Sequence, residues 1–266
     1  MKTGFVDFHS HGCWGIDDGV QTKDEAVFFL KTAVDTGMKT VFCTPHMMPN
    51  GKFDNDRESI LEAVKRLREL SEESGLVLEV RHGSELYLND DALARVESGK
   101  MLTLEGTNCL LVEFNRHGAD WPWVNRQLYE IARLGYQVLV AHPERYFSDT
   151  DVMDEMVDLW LAEGYWMQVN STSLLGMQGD RVAKNAWRLL EGGKTHLIAS
   201  DAHHGQDRRT CRLDDIYATC VRRIGEERSD RLFFVNPQKI LNREPIMTIE
   251  ASVGWFDRIL QRISLK

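Results

Sequence analysis

The chain has no Cys-x-x-Cys pair, and none of its five cysteines is followed six residues later by arginine. Cys13, Cys43, Cys109, Cys211 and Cys220 are odd in number and scattered. The usual cysteine-rich zinc site and the Cys-x5-Arg phosphate loop are therefore both excluded, and a reducing compartment is the simplest expectation. Basic residues are short as well. A formal net charge of -9 argues against a nucleic-acid partner, because phosphate contacts need a surplus of Lys and Arg. No run of about 18 apolar residues appears, so no spanning helix is expected. The start lacks a basic stretch followed by an apolar one, so no secretory signal is expected either. Neither G-x-G-x-x-G nor G-x-x-x-x-G-K-[ST] opens a helix, which removes the usual nucleotide-binding open sheet. There is no internal linker, repeat or low-complexity tract.

What is present is ordinary in bulk and unusual in placement. At 266 residues, with 42% hydrophobic and 27% charged content, the chain reads as a globular α/β protein. Short apolar runs alternate with amphipathic stretches: GFVDF (4–8), TVFCT (40–44), LVLEV (76–80), CLLVEF (109–114), QVLVA (137–141), YWMQV (165–169), THLIA (195–199) and a weaker LFFV (232–235). Between them, Ile60, Val64, Leu67 and Leu70 recur at helical spacing, Thr22 and Glu25 form a capping box, and Gly135 and Gly164 stand where helices should stop. Seven or more strand–helix units in series imply parallel strands with right-handed crossovers, as a barrel or an open doubly wound sheet. After Pro245, Ile249, Val253, Phe256, Leu260 and Ile263 share one helical face. The simplest expectation is a helix packed on its own barrel, the sharper one an oligomer contact or a peripheral membrane helix.

Polar groups fall at the ends of these strands. His9 and His11 end the first, with Asp17 and Asp18 in the loop beyond. His46 ends the second, Glu85 follows the third, Glu113 ends the fourth and His142 the fifth. Asn170 ends the sixth, and Asp201 and His203 the seventh. In a parallel barrel the C-terminal strand ends open onto one face, so residues nearly 200 positions apart would converge there. A lone histidine after a strand is ordinarily a satisfied polar group. A carboxylate inside an apolar run, such as Glu113, is harder to dismiss, because burying it unpaired costs several kcal/mol. The mixed nitrogen and oxygen set exceeds what one ion needs and suits two or three divalent ions such as Mn²⁺, Fe²⁺ or Zn²⁺. Arg145 and Arg208 lie close behind His142 and His203, where guanidinium could clamp phosphate oxygens. His82, His117 and His196 fall outside the pattern, and His204 beside it is left open.

In this order, HSH, IDDG, TPH, GSE, VEF, AHPER, QVNS and SDAH resemble the PHP (polymerase and histidinol phosphatase) superfamily, over roughly residues 4 to 242. The strongest likeness is to its bacterial protein-tyrosine phosphatases of capsule and exopolysaccharide loci. The resemblance implies a distorted seven-stranded (β/α) TIM-like barrel over 1–245, with 246–266 a C-terminal helical extension. It implies a trinuclear centre, often manganese, held by His9, His11, Asp18, His46, Glu85, Glu113, His142, Asp201 and His203. Arg145 and Arg208 would bind phosphate, and Asp17 would steady the metal loop or shuttle a proton. A hydroxide bridging two ions would attack phosphorus with no cysteine nucleophile. The expected substrate is a phosphotyrosine protein, typically an autophosphorylated bacterial tyrosine kinase controlling polysaccharide export. A cytoplasmic location follows, at the inner face of the membrane through that substrate, and the terminal helix is a candidate homo-oligomer contact. The MMPNGKFDN loop after His46 and WPW at 121–123 lie outside the motifs and are candidates for shaping substrate entry. The alternatives are a small-molecule phosphatase of the histidinol-phosphate type, an amidohydrolase-like metal hydrolase, and a non-catalytic binding protein. No strand end offers the bridging lysine usual in amidohydrolases.

Overall fold

The computed structural model describes residues 2–115, 118–206 and 208–248. The face proposed for 249–263 lies outside these residues. Nine strands are present among them: β1 (Phe5–Ser10), β2 (Met38–Cys43), β3 (His46–Met47), β4 (Glu79–His82), β5 (Glu85–Tyr87), β6 (Cys109–Glu113), β7 (Gln137–Ala141), β8 (Trp166–Asn170) and β9 (Leu197–Ala199). Every pairing is parallel. One sheet runs β1-β2-β4 and the other β3-β5-β6-β7-β8-β9. The expected second strand divides into β2 and β3 at Thr44–Pro45, where proline removes a ladder donor. The expected third, at 76–80, is shifted: β4 runs over Glu79–His82, and β5 follows beyond Gly83–Ser84. The ends of β1 and of β9 meet: Asp201 N donates to His9 O at 2.8 Å, and His11 N to Ala202 O at 2.8 Å.

Helices fill the crossovers, principally α1 (Lys23–Asp35), α2 (Arg57–Glu73), α3 (Ala92–Glu97), α4 (Trp121–Arg133), α5 (Thr150–Ala162), α6 (Ser171–Leu174), α7 (Asp180–Glu191) and α8 (Asp214–Ile224). Their signals are local and readable. Thr22 Oγ1 accepts from Glu25 N at 3.1 Å, although Glu25 reaches back to Gln21 N rather than to the cap itself. Ile60, Val64, Leu67 and Leu70 form the buried stripe of α2. Gly135 and Gly164 follow α4 and α5 with φ of +92° and +82°, conformations that cost glycine little.

LFFV is not a strand. Arg231–Val235 is helical, between α9 (Glu226–Asp230) and α10 (Asn236–Leu241). Four consecutive apolar residues carry no period, so tertiary contacts decide. Here Phe233 packs edge-on against Phe5 and Tyr217, with centroids 6.0 and 5.4 Å apart.

Strand alternation separates two apolar layers. Cys109 and Leu111 of β6, Leu139 and Ala141 of β7, Trp166 of β8, and Leu197 and Ala199 of β9 share one cluster with Phe8 and Phe42. The intervening Leu110, Val112, Val138, Val140, Met167 and Val169 pack on the helices. The first row sets the site: two residues beyond Leu111 comes Glu113, and beyond Trp166 come Gln168 and Asn170. No helix among the described residues is long and apolar enough to cross a membrane.

Candidate metal centre

The two histidines of HSH lie two residues apart and are fully buried. Each is fixed from behind by a different group. His11 Nδ1 is 2.7 Å from Asp17 Oδ2, and His9 Nδ1 is 2.9 Å from Gln168 Oε1. Both Nε2 atoms turn inward, 3.3 Å from each other. Asp17 also accepts from His46 N at 3.0 Å and from Gly19 N at 2.9 Å, which ties the IDDG loop to the second strand. Gly19 must be glycine, because a Cβ there would stand 2.3 Å from His11 Cβ.

Glu85 lies at the centre. Its Oε1 is 3.3 Å from His9 Nε2 and 3.0 Å from His142 Nε2. Its Oε2 is 3.3 Å from His11 Nε2 and 3.0 Å from His46 Nδ1. Glu113 Oε1 is also 3.0 Å from His46 Nδ1. On the open side, Asp18 Oδ1 stands 3.3 Å from His46 Nε2 and 3.5 Å from His203 Nε2. Asp201 Oδ1 faces His9, His11 and His203 at 3.6, 3.5 and 3.4 Å. Potential ligand atoms converge in four overlapping groups: His11, Asp18, His46 and His203; His9, Glu85 and His142; His9, His11 and Asp201; and His46, Glu85 and Glu113. All nine residues expected to be ligands fall in one or more of them.

Burial and charge oppose one another here. Burial pushes the Glu85 carboxyl up, but His9 and His46 hold it well below its ordinary value. Asp201 is pushed up by burial and held well down by Arg209 and His9. Burial lowers His11, yet Asp17 raises it to about 9. His46 is raised by Glu85 and Asp18 against the same burial. His142, facing Arg145 and desolvated, falls to about 3. These acids and imidazoles stabilise each other by sharing protons.

The donor set fits divalent cations. Imidazole nitrogens mixed with carboxylate oxygens suit ions of the Mn²⁺, Fe²⁺ and Zn²⁺ type. His46 Nδ1 is buried and makes no hydrogen bond, although two carboxylate oxygens stand 3.0 Å away. Ligands converging on a cation leave that arrangement, whereas a protein lacking one would turn the ring to donate.

The arginines divide unexpectedly. Arg145 Nη1 donates to Asp201 Oδ2 at 2.8 Å. The second guanidinium on Asp201 belongs to Arg209, whose Nη2 is 2.9 Å from Oδ1. Arg208, the expected phosphate clamp, instead lines a surface groove with Thr22, Asp24, Glu25, Phe28, His204 and Gln206. Arg209 has φ +54°, a left-handed backbone that a non-glycine residue seldom adopts and that leaves no mark in sequence. Gln168 was also missed, since one amide in an apolar strand is unremarkable. Its only signal is the i, i+2 spacing with Asn170, the same spacing as HSH.

Of the two segments outside the motifs, Phe53 of the loop after His46 stacks on the His46 ring at 5.7 Å. Trp121 of WPW packs on Phe147 at 4.5 Å, while Trp123 lines a groove with Leu88, Asp90 and Phe114. All five cysteines are buried. Burial pushes Cys220 up to about 12 and Cys211 well above its ordinary value.

Fold and site together define a parallel α/β protein whose C-terminal strand ends gather histidines and carboxylates that could hold cations. The sequence matches the capsular polysaccharide synthesis CpsB/CapC family over residues 5–242, and the chain belongs to that family. It is 29% identical to the tyrosine-protein phosphatase CpsB of Streptococcus pneumoniae over 244 residues, 89% of this chain and 98% of that protein. It is 26% identical to the tyrosine-protein phosphatase YwqE of Bacillus subtilis over 212 residues, 80% of this chain and 82% of that one. A crystal structure from work on YwqE and CpsB, described as metal-dependent tyrosine phosphatases, aligns with TM-score 0.82 at 24% identity. It covers 93% of this chain and 98% of its own, and at that identity the likeness bears on the fold.

Proposed function

We propose that the protein is a metal-dependent protein-tyrosine phosphatase acting on a phosphotyrosine protein, in particular an autophosphorylated tyrosine kinase of capsule or exopolysaccharide synthesis. The carrying observation is the convergence of four imidazole-and-carboxylate groups beside Arg145. Family membership and the phosphatase relatives support the reaction class. The meeting of β1 with the end of β9, and the reading of β2–β3 and β4–β5 as two interrupted strands, support a seven-stranded barrel as the catalytic unit, 1–245. A phosphorylated kinase as substrate would support a cytoplasmic location, at the inner face of the membrane through that substrate.

The ligands would be His9, His11, Asp18, His46, Glu85, Glu113, His142, Asp201 and His203, and manganese suits them. When bound, the ions supply acidification of a water and positive charge for the phosphoryl oxygens. The chain supplies the rest. Glu85 and Asp201, each facing several imidazoles, would hold cations together with those rings. Asp17 holds the His11 Nδ1 proton, leaving Nε2 for coordination. Arg145, kept charged by Asp201 and Glu144 despite burial, offers its remaining N–H groups to phosphate oxygens. A second guanidinium comes from the Arg208–Arg209 pair, where Arg209 is the one that reaches Asp201. The leaving phenolate has a reference pKa of about 10, so the site needs no dedicated acid.

The test measures turnover of p-nitrophenyl phosphate, a phosphotyrosine peptide and histidinol phosphate, with metal analysis before and after chelation. The expected result is hydrolysis of the first two, lost on chelation, restored by Mn²⁺ and insensitive to iodoacetamide. Preference for histidinol phosphate, or loss of activity on alkylation of the folded protein, overturns the reading.

A further inference from the structure

A chain of buried amides joins two residues of the centre, and its donors can be assigned from one end. Asp201 Oδ2 accepts from Arg145 Nη1 at 2.8 Å and Oδ1 from Arg209 Nη2 at 2.9 Å, so both oxygens face guanidinium donors and act as acceptors. Asn170 must therefore present Nδ2 to it, at 2.7 Å. That turns Asn170 Oδ1 toward Gln168, whose Nε2 donates to it at 2.8 Å. Gln168 must then present Oε1 to His9 Nδ1, at 2.9 Å. An amide oxygen accepts only, so His9 carries a proton on Nδ1, and Nε2, which faces Glu85 and Asp201, is the atom left to offer a lone pair to a cation. We propose that Gln168 and Asn170 form a positioning relay that fixes the tautomer of His9 and couples it to the orientation of Asp201, so that the two present ligand atoms to a cation as one unit.

Gln168 and Asn170 are both fully buried on the inner row of β8. An amide in an apolar strand is costly unless its hydrogen bonds are made, and leucine would fill similar volume without that demand. Asn170 stands at the N-cap of α6, yet its side chain makes no capping bond and goes to Asp201 instead. The histidines of HSH thus differ: His11 leans on a carboxylate, His9 on a neutral amide tied to another ligand. Partners behind a ligand typically change metal affinity by about 10–100-fold.

The inference rests on the reading that His9 and Asp201 hold a cation. The experiment titrates the metal-stripped full chain with Zn²⁺ by calorimetry and records the His9 ring ¹⁵N signals of the zinc-loaded protein. Gln168→Leu and Asn170→Ser should each weaken zinc binding by about 10–100-fold. The double variant should be little worse than either alone, because one chain is broken. The wild-type spectrum should show a protonated Nδ1 on His9, lost in Gln168→Leu. Gln168→Glu keeps the volume and an acceptor for Nδ1 but cannot donate to Asn170. It should retain the tautomer yet bind zinc weakly, which covers the case in which Gln168→Leu does not fold. Unchanged affinity in the folded variants, additive losses, or a proton on Nε2 overturns the relay. A wild-type protein that binds no zinc overturns the metal reading instead.

Discussion

Two charged clusters can be set side by side, one partly buried between α5 and α7 and one buried at the strand ends. Between α5 and α7, Asp154 accepts from Arg188 Nε and lies 3.1 Å from Lys194 Nζ, which stands 2.7 Å from Asp158. There each acid meets a permanently charged base. At the strand ends, among the described residues, Asp17, Asp18 and Glu85 face imidazoles rather than permanent cations, and Arg145 and Arg209 both lie on Asp201. The shortfall is met by imidazoles that hold protons. The first cluster is complete as folded. The second is balanced only provisionally, and a divalent ion can replace its protons.

The largest consequence concerns Glu85, which faces His9, His11, His46 and His142. Glu85→Gln keeps the shape and removes the charge those rings share. We expect at least about a 10³-fold loss of kcat/KM for a phosphotyrosine peptide, together with loss of bound metal by elemental analysis. Retained metal and activity would place the cations away from this carboxylate and dissolve the contrast between the clusters.

Next come the arginines. Arg145→Ala should lower kcat/KM by about 10²-fold, with little rescue by lysine, because a guanidinium holds Asp201 and phosphate at once. In the structure Arg209→Ala should be the more damaging of the loop pair toward p-nitrophenyl phosphate. Arg208→Ala should act mainly on protein substrate, through the surface groove. Steady-state kinetics on both substrates separates them, and the reverse order would mean that the loop presents Arg208 at phosphate.

This pair shows where sequence reading stops. The converging positions are legible because a polar residue at the end of an apolar strand is physically anomalous, and the anomaly recurs strand after strand. Glu113 continues the row of Cys109 and Leu111, so its direction follows from alternation. Which of two adjacent arginines turns inward depends on one left-handed φ in a loop. Gln168 acquires meaning only when Asn170 and His9 are seen across the strands. The divisions at Thr44–Pro45 and Gly83–Ser84 leave the apolar pattern intact, and LFFV has no period by which to place it.

A smaller effect follows from proton sharing. His11 is raised to about 9 in the folded chain, above the ordinary imidazole value near 6.5. A raised folded pKa means that its ion pair stabilises the metal-free protein fully below about pH 6.5 and loses that stabilisation as pH rises through about 9. Thermal unfolding of the stripped protein should show a falling midpoint across this window. Metal affinity should rise over the same window, because protons and cations compete for the same nitrogens, and binding near neutral pH should release protons. Calorimetry in buffers of different ionisation enthalpy counts them. Zero proton release would mean that the imidazoles are already neutral and that the shortfall of positive charge is not met by them.

The smallest effect on catalysis belongs to the complete cluster. Asp154→Asn leaves Arg188 and Lys194, mostly buried, without their shared carboxylate. The expected cost is about 1 kcal/mol of stability, since Lys194 keeps Asp158 at 2.7 Å and only the part-buried Arg188 loses its near partner. Neither partner is part of the strand-end site, so kcat/KM at a temperature well below unfolding should match wild type. Unlike the metal centre, this cluster should give the same denaturant midpoint shift with and without bound ions. If chelation changed that shift, the two clusters would be coupled through α7 and the strands, and the division between a finished ion pair and an exchangeable one would have to be redrawn.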